Sequence, residues 1–149
     1  MNAIPFEHGH VVLDTSVVIK WFRQGEILAR QALILRDAYL AGEAAISVPS
    51  LLIYELTNVL RYKNDLSATQ VQEAVRSLFE MELRISPPDE PVMRQAIETS
   101  RNCGITVYDG AFVALAQTAA ATFVTADERL ARSLAVFPFV HFLGEVQVA

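Results

Sequence analysis

The feature that most constrains the fold is a short apolar run that ends in a carboxylate. The run 11–13 (VVL) is typical of a buried β-strand, and Asp14 follows it directly. A buried carboxylate is costly unless it is paired or holds a metal ion. In open α/β sheets, the carboxyl ends of the strands are also where ligands bind. Asp14 is therefore either a turn or capping residue or part of a site, and this stretch favours neither reading. We expect Thr15 or Ser16 to cap the helix that follows.

The rest of the chain alternates between short strand-like runs and segments with helical periodicity. Strands are predicted at 11–13, 44–48, 83–86, 122–125 and 139–143, and helices at 17–22, 26–40, 49–60, 67–82, 90–101, 111–116 and 128–134. This alternation predicts an α/β fold, a three-layer α/β/α sandwich with a mainly parallel sheet of four or five strands. The length of 149 residues favours one domain over 1–149.

Composition excludes several classes of protein. Hydrophobic residues make up 52% of the chain and charged residues 19%, which excludes a disordered chain. The mean hydropathy of +0.30 indicates buried parallel strands and an apolar surface for self-association or a partner. The net charge of −5 argues against a broad basic surface for nucleic acid, but it leaves room for a local site whose charge bound cations reverse.

The expected location is the cytoplasm. Cys103 is the single cysteine, so no intrachain disulfide can form and a reducing compartment fits best. The segment 1–10 lacks the basic and apolar regions of a signal peptide, and we assign it no role. The uncharged stretch 110–126 is short for a membrane span and is better explained by a buried helix that leads into a buried strand.

Three further carboxylates lie within or directly beside apolar segments. Glu55 lies on or beside the apolar stripe of its predicted helix, with Leu52 and Leu56 as neighbours. Asp109 precedes an apolar helix, where the helix dipole alone could also favour it. Asp127 directly follows a predicted buried strand, where it could also serve as a helix cap.

Together these four carboxylates predict a cation site. Asp14 and Asp127 both follow predicted parallel strands, so they should lie at one edge of the sheet, which Glu55 and Asp109 could reach. Two unit charges about 4 Å apart repel by ~4 kcal/mol at an effective dielectric of 20. Clustered carboxylates must therefore take up protons or bind cations. Oxygen ligands select Mg²⁺ or Mn²⁺ rather than zinc, and such an ion supports cleavage of phosphodiesters.

Four ordered segments resemble the PIN-domain ribonucleases and, among them, the VapC-type toxins of toxin–antitoxin pairs. The segments are 12–17 (VLDTSV), 48–60 (VPSLLIYELTNVL), 108–116 (YDGAFVALA) and 123–130 (FVTADERL). The resemblance implies a PIN-like fold and a metal-dependent endoribonuclease that cuts RNA. It further implies a homodimer, inhibition by a cognate antitoxin and no membrane association.

The same resemblance assigns roles to individual residues. It implies that Asp14, Asp109 and Asp127 ligate Mg²⁺ or Mn²⁺, and that Glu55 ligates a second ion or positions the attacking water. A supporting hydroxyl near the metal maps onto Ser16 or Thr125.

Two other functions share part of this sequence pattern. A phosphatase of the haloacid dehalogenase type would need a second aspartate two residues after Asp14, where this chain has Ser16. A PIN-like module that binds RNA or protein without cutting is the stronger alternative, although the complete set of four carboxylates argues against it.

Overall fold

The computed structural model describes residues 9–148 and contains five strands, seven α-helices and one short 3-10 helix in that range. The strands are β1 (His10–Leu13), β2 (Ala45–Pro49), β3 (Arg84–Ser86), β4 (Thr122–Thr125) and β5 (Val140–Phe142). The helices are α1 (Thr15–Phe22), α2 (Ala29–Leu40), α3 (Leu51–Arg61), α4 (Ala68–Glu80), α5 (Glu90–Cys103), α6 (Val107–Thr118) and α7 (Glu128–Ser133), and a 3-10 turn spans Leu143–Glu145. The segment 1–8, to which most of the unassigned N-terminal extension belongs, lies outside the described residues.

The five strands form one sheet in the order β3-β2-β1-β4-β5, and every neighbouring pair is parallel. This confirms the predicted α/β/α architecture and makes the sheet entirely parallel with five strands. The inner strands are buried on both faces, which requires helices on both sides of the sheet. Helix α6 packs against β1, β2 and α5, whereas α1 packs against β1, β4, α2 and α3.

The strand order places a crevice beside β1. The chain leaves β1 for β2 on one side, and β4 pairs with β1 on the other side, with Leu13 opposite Val124. Parallel sheets bind ligands at the point where the strand order reverses in this way, outside the carboxyl ends of the strands. The two segments that follow β1 and β4 begin with Asp14 and Ala126, so the fold brings the first and last predicted acidic segments together.

Four local predictions were wrong. Helix α6 begins at Val107, four residues before the predicted start at residue 111. Asp14, rather than Thr15 or Ser16, is the N-cap of α1. Pro49 ends β2 instead of starting a helix, and Ser50 is the N-cap of α3. Helix α2 begins at Ala29 rather than at residue 26 because 24–28 forms turns, with Leu28 in the left-handed region at φ 67°.

Candidate functional site

Asp14 is buried at the carboxyl end of β1 and is held by two hydroxyl groups. It is 6% exposed, and its side chain makes no hydrogen bond that caps α1. Instead, Thr125 Oγ1 donates to Asp14 Oδ2 at 2.6 Å, and Ser16 Oγ donates to Asp14 Oδ1. The Asp14 carboxylate therefore faces the neighbouring strand and is fixed at both oxygen atoms.

Burial raises the pKa of the Asp14 carboxyl to about 6, because the charged form loses its hydration. The hydrogen bonds from Ser16 and Thr125 act in the opposite direction and lower this pKa. The negative charge of Asp109 raises the pKa further. Asp14 and Asp109 are therefore close enough to repel each other.

The same two hydroxyl groups connect Asp14 to the segment that carries Asp127. Ser16 Oγ accepts a hydrogen bond from the Ala126 amide at 2.9 Å, and Thr125 Oγ1 accepts one from the Asp127 amide at 3.0 Å. One supporting hydroxyl was expected, from Ser16 or Thr125. In the structure both side chains donate a hydrogen bond to Asp14.

Asp109 lies in the first turn of α6, where Thr106 is the N-cap and accepts a hydrogen bond from the Asp109 amide at 3.0 Å. The pKa of the Asp109 carboxyl is raised, first by burial and also by the charge of Asp127, while its interaction with Thr106 lowers it. Asp109 is therefore close enough to both Asp14 and Asp127 for their negative charges to repel.

Gly110 fixes the position of the helix turn that carries Asp109. A Cβ atom at Gly110 would lie 2.6 Å from the carbonyl oxygen of Ala96 in α5. The absence of a side chain therefore allows α6 to approach α5 closely, and any larger residue would push the first turn of α6 away.

Asp127 caps a helix and also lines the cavity that contains Asp14. Its Oδ1 accepts a hydrogen bond from the Leu130 amide at 3.0 Å and caps α7. Its side chain also lines the same cavity as Asp14. The capping and site interpretations are therefore compatible, because one carboxylate oxygen is enough for the cap.

Glu55 lies on α3 at the edge of the packed face. Leu52 and Leu56 are fully buried, Glu55 is half-buried, and Val59 is 38% exposed. Thr15 Oγ1 donates a hydrogen bond to Glu55 Oε1 at 2.7 Å. Glu55 therefore reaches the start of α1, next to Asp14.

One cavity of about 450 Å³ contains all four predicted carboxylates. It is lined by Asp14, Thr15, Ser16, Ile19, Glu55, Asn58, Val59, Asp109, Phe112, Asp127 and Leu130. No lysine, arginine or histidine is among these residues. The nearby cations Lys20 and Arg23 are paired instead with Glu26 at 3.3 Å and Asp65 at 2.8 Å.

The chemistry of the cavity fits a hard cation, but the side chains are not grouped as a finished metal site. Carboxylate and hydroxyl oxygens are the ligands that Mg²⁺ and Mn²⁺ prefer. In the range 9–148, no three Asp, Glu, His or Cys side chains stand close enough together to hold a metal ion as they are. Ligation by three of the carboxylates would therefore require side-chain rotation within the cavity.

Sequence reasoning missed two polar residues of this cavity. Thr15 was expected only as a possible helix cap, yet its hydroxyl contacts Glu55. Asn58 was not considered, although it lies one helical turn after Glu55 and that spacing predicts a shared face. The contact of Thr15 joins residues 40 positions apart, so no local pattern could have revealed it.

The fold is an all-parallel α/β sheet with an acidic cavity at the point where the strand order reverses, an arrangement typical of α/β proteins that bind a ligand there. The family model for the PIN domain matches residues 11–133, and the chain belongs to that family. The expected family resemblance is thereby confirmed, and a nuclease is the general class of activity for this family. No curated protein sequence matches the chain.

Solved structures with a similar fold include toxins in complexes. A "Toxin-antitoxin complex from Klebsiella pneumoniae" is 16% identical with a TM-score of 0.65, covering 89% of this chain and 97% of that one. "FitAB bound to IR36 DNA fragment" is 16% identical with a TM-score of 0.69, covering 93% and 98%. VapBC2 from Rickettsia felis, bound to a promoter DNA fragment, is 17% identical with a TM-score of 0.63, covering 89% and 96%. At these identities, the likeness establishes the shared fold.

The helices that the structure describes, in the range 9–148, are too short or too polar to span a membrane. The uncharged stretch 110–126 is instead divided between α6 and β4, as the sequence predicted.

Proposed function

We propose that this chain is a Mg²⁺- or Mn²⁺-dependent endoribonuclease, the VapC-type toxin of a toxin–antitoxin pair, that hydrolyses phosphodiester bonds of RNA. One observation carries the proposal: four carboxylates share a cavity that contains no cationic side chain. Burial and mutual repulsion raise the pKa of both Asp14 and Asp109, so the cavity gains stability from any positive charge placed in it. A divalent cation supplies that charge and brings the chemistry needed for phosphodiester cleavage.

Asp14, Asp109 and Asp127 are the proposed metal ligands. The hydroxyls of Ser16 and Thr125 orient the Asp14 carboxylate, and α7 holds Asp127 through its cap. A divalent ion held by these residues would help to activate water and would stabilise negative charge on the phosphate.

Glu55 is proposed to ligate a second ion or to orient the attacking water. Its Oε1 is occupied by Thr15, which leaves Oε2 to accept a hydrogen bond from a water molecule. In the reaction, the water oxygen bonds to phosphorus while the bond from phosphorus to the leaving ribose oxygen breaks.

Two protein partners are proposed, an antitoxin that enters the acidic cavity and a second copy of the chain. A cognate antitoxin would inhibit the enzyme by placing a basic side chain among the four carboxylates, since a guanidinium pairs with carboxylates through two hydrogen bonds. We also propose a homodimer, for which large exposed hydrophobic side chains such as Ile27, Tyr54, Tyr62 and Val136 are available as contacts. We place this single PIN-like domain, residues 1–149, in the cytoplasm.

The alternative is a PIN-like module that binds RNA or protein without cutting. Such a module would not need four carboxylates in one cavity without a cation. Keeping them there destabilises the fold, because burial disfavours the charged form of Asp14 and raises its pKa.

Sequencing of cellular RNA ends after brief expression tests the proposal. The wild type should create new ends at defined positions, and Asp14→Asn, expressed at the same level, should create none. Binding of RNA without new ends in the wild type would favour the non-catalytic module and contradict the proposal.

A further inference from the structure

We infer that Thr15 is a positioning residue that acts through Glu55. The inference rests on the proposed function because it assumes that Glu55 works in the reaction. The observation behind it is the 2.7 Å hydrogen bond from Thr15 Oγ1 to Glu55 Oε1, which connects the first residue of α1 to the middle of α3.

The first turn of α1 does not use the Thr15 hydroxyl for its own structure. A threonine at a helix start commonly caps the free backbone amides. Here Asp14 occupies the N-cap without a side-chain capping bond, and the Thr15 hydroxyl reaches across to α3 instead. Three successive side chains, those of Asp14, Thr15 and Ser16, therefore line the acidic cavity rather than cap the helix.

Glu55 depends on this contact for its orientation. In the part of the chain that the structure describes, the Thr15 hydroxyl is the one side-chain donor within hydrogen-bond distance of the Glu55 carboxylate. Lys20, on the same helix as Thr15, is engaged by Glu26 at 3.3 Å. The long glutamate side chain would otherwise be free to rotate on the half-exposed side of α3.

The hydrogen bond selects one of the two carboxylate oxygens. With Oε1 engaged by Thr15, Oε2 is left for a cation or a water in the cavity. Groups that orient a ligand in this way typically contribute about 10- to 100-fold to metal affinity or activity. Loss of the Thr15 hydroxyl should therefore weaken cation binding in the cavity or lower kcat. It should not change the affinity of the protein for RNA outside the cavity.

Thr15→Val is the sharpest test, because valine keeps the β-branched shape and replaces the hydroxyl by a methyl group that cannot donate a hydrogen bond. Thr15→Ser restores the donor. Thr57→Val is the matched control: its hydroxyl also donates at 2.7 Å, but to the Ile53 carbonyl within α3. Each variant is assayed for Mn²⁺ binding by calorimetry, for kcat and KM on RNA, and for thermal melting.

We expect Thr15→Val to weaken Mn²⁺ binding or lower kcat by about 10- to 100-fold with KM unchanged. Thr15→Ser and Thr57→Val should stay within about threefold of the wild type, a margin small beside that loss. In the Glu55→Gln background, adding Thr15→Val should cause little further loss of Mn²⁺ affinity, because the two residues act as one unit.

The failures are distinguishable. If Thr15→Val keeps wild-type Mn²⁺ affinity and kcat while Glu55→Gln is inactive, the positioning role is overturned and the proposed function stands. If Glu55→Gln cuts RNA at the wild-type rate, the proposed role of Glu55 fails. Equal losses in Thr15→Val and Thr57→Val would show a general effect of altering the helix and would also overturn the inference.

Discussion

Replacing Asp14 by Asn should stabilise the metal-free protein at neutral pH. Burial raises the pKa of the Asp14 carboxyl from its ordinary value of 3.8 to about 6 in the folded protein. At about 1.4 kcal/mol per pKa unit, ionisation of Asp14 costs the folded state about 3 kcal/mol. Asn cannot accept both hydroxyl hydrogen bonds of Ser16 and Thr125, which should offset about 1 kcal/mol of this gain. At neutral pH, the free energy of unfolding of Asp14→Asn should therefore exceed that of the wild type by about 2 kcal/mol.

The stability difference should depend on pH in a defined direction. Because the folded pKa is raised, the carboxyl group contributes stability that is present below about pH 4 and is lost as the pH rises through about 6. Wild type should therefore be the more stable protein by about 1 kcal/mol at pH 4, where only the hydrogen bond lost in Asn counts. Its stability should fall below that of Asp14→Asn between pH 4 and 6, and the difference should stay constant at higher pH. Asp109 also has a raised pKa and titrates in both proteins, so the informative quantity is the difference between them.

Urea unfolding in EDTA, followed by far-UV circular dichroism at pH 4, 5, 6 and 7.5, measures this difference. A gain of about 2 kcal/mol corresponds to a rise in Tm of about 4–8 °C for a chain of this size. Asp89→Asn is a suitable control, because Asp89 is an exposed N-cap and Asn caps equally well. A wild type and an Asp14→Asn protein whose stabilities run parallel from pH 4 to 7.5 would refute the argument from burial.

Three further outcomes follow from the cavity. Zinc should support cleavage poorly, because the cavity offers no Cys or His ligand, and full activity with zinc in place of Mn²⁺ would contradict this. Replacing the antitoxin's basic side chain by Ala should weaken inhibition by about 30-fold or more, and a complex with no Arg or Lys near Asp14 would count against it. Glu55→Leu should melt higher, since a half-buried charge between Leu52 and Leu56 is removed, yet lose about 100-fold or more in cleavage, as expected for a group that acts on the attacking water. A Glu55→Leu protein that melts higher but cuts RNA normally would mean that Glu55 is a tolerated surface residue.

Much of the fold was predictable because its signals are local. The apolar run before Asp14 predicts β1, and the structure confirms it. The helix predicted from residue 67 is also present, and its start is fixed by neighbouring residues, because Ser67 and Gln70 form a reciprocal capping box. The start of α2 was not predictable in the same way, because the apolar residues Ile27 and Leu28 continue the helical pattern into a segment that forms turns.

The gathering of the carboxylates was predictable, whereas their contacts were not. Parallel strands end at one edge, so the alternation predicted that Asp14 and Asp127 lie at the same edge of the sheet. They lie close together because β4 pairs with β1, and the alternation alone does not fix that strand order. The hydrogen bonds of Thr125 to Asp14 and of Thr15 to Glu55 join positions 111 and 40 residues apart. They depend on the register of β1 against β4 and on the approach of α1 to α3, and neither is encoded in a local pattern.

Cleavage of a labelled single-stranded RNA by purified protein tests the central claim most directly. Wild type stripped of metal should be inactive, gain activity with Mg²⁺ or Mn²⁺, and lose it again in EDTA. Asp127→Asn should stay folded, because Asn also caps α7, and should remain inactive with either metal. Cleavage by the metal-stripped wild type, or by Asp127→Asn at the wild-type rate, would contradict the account.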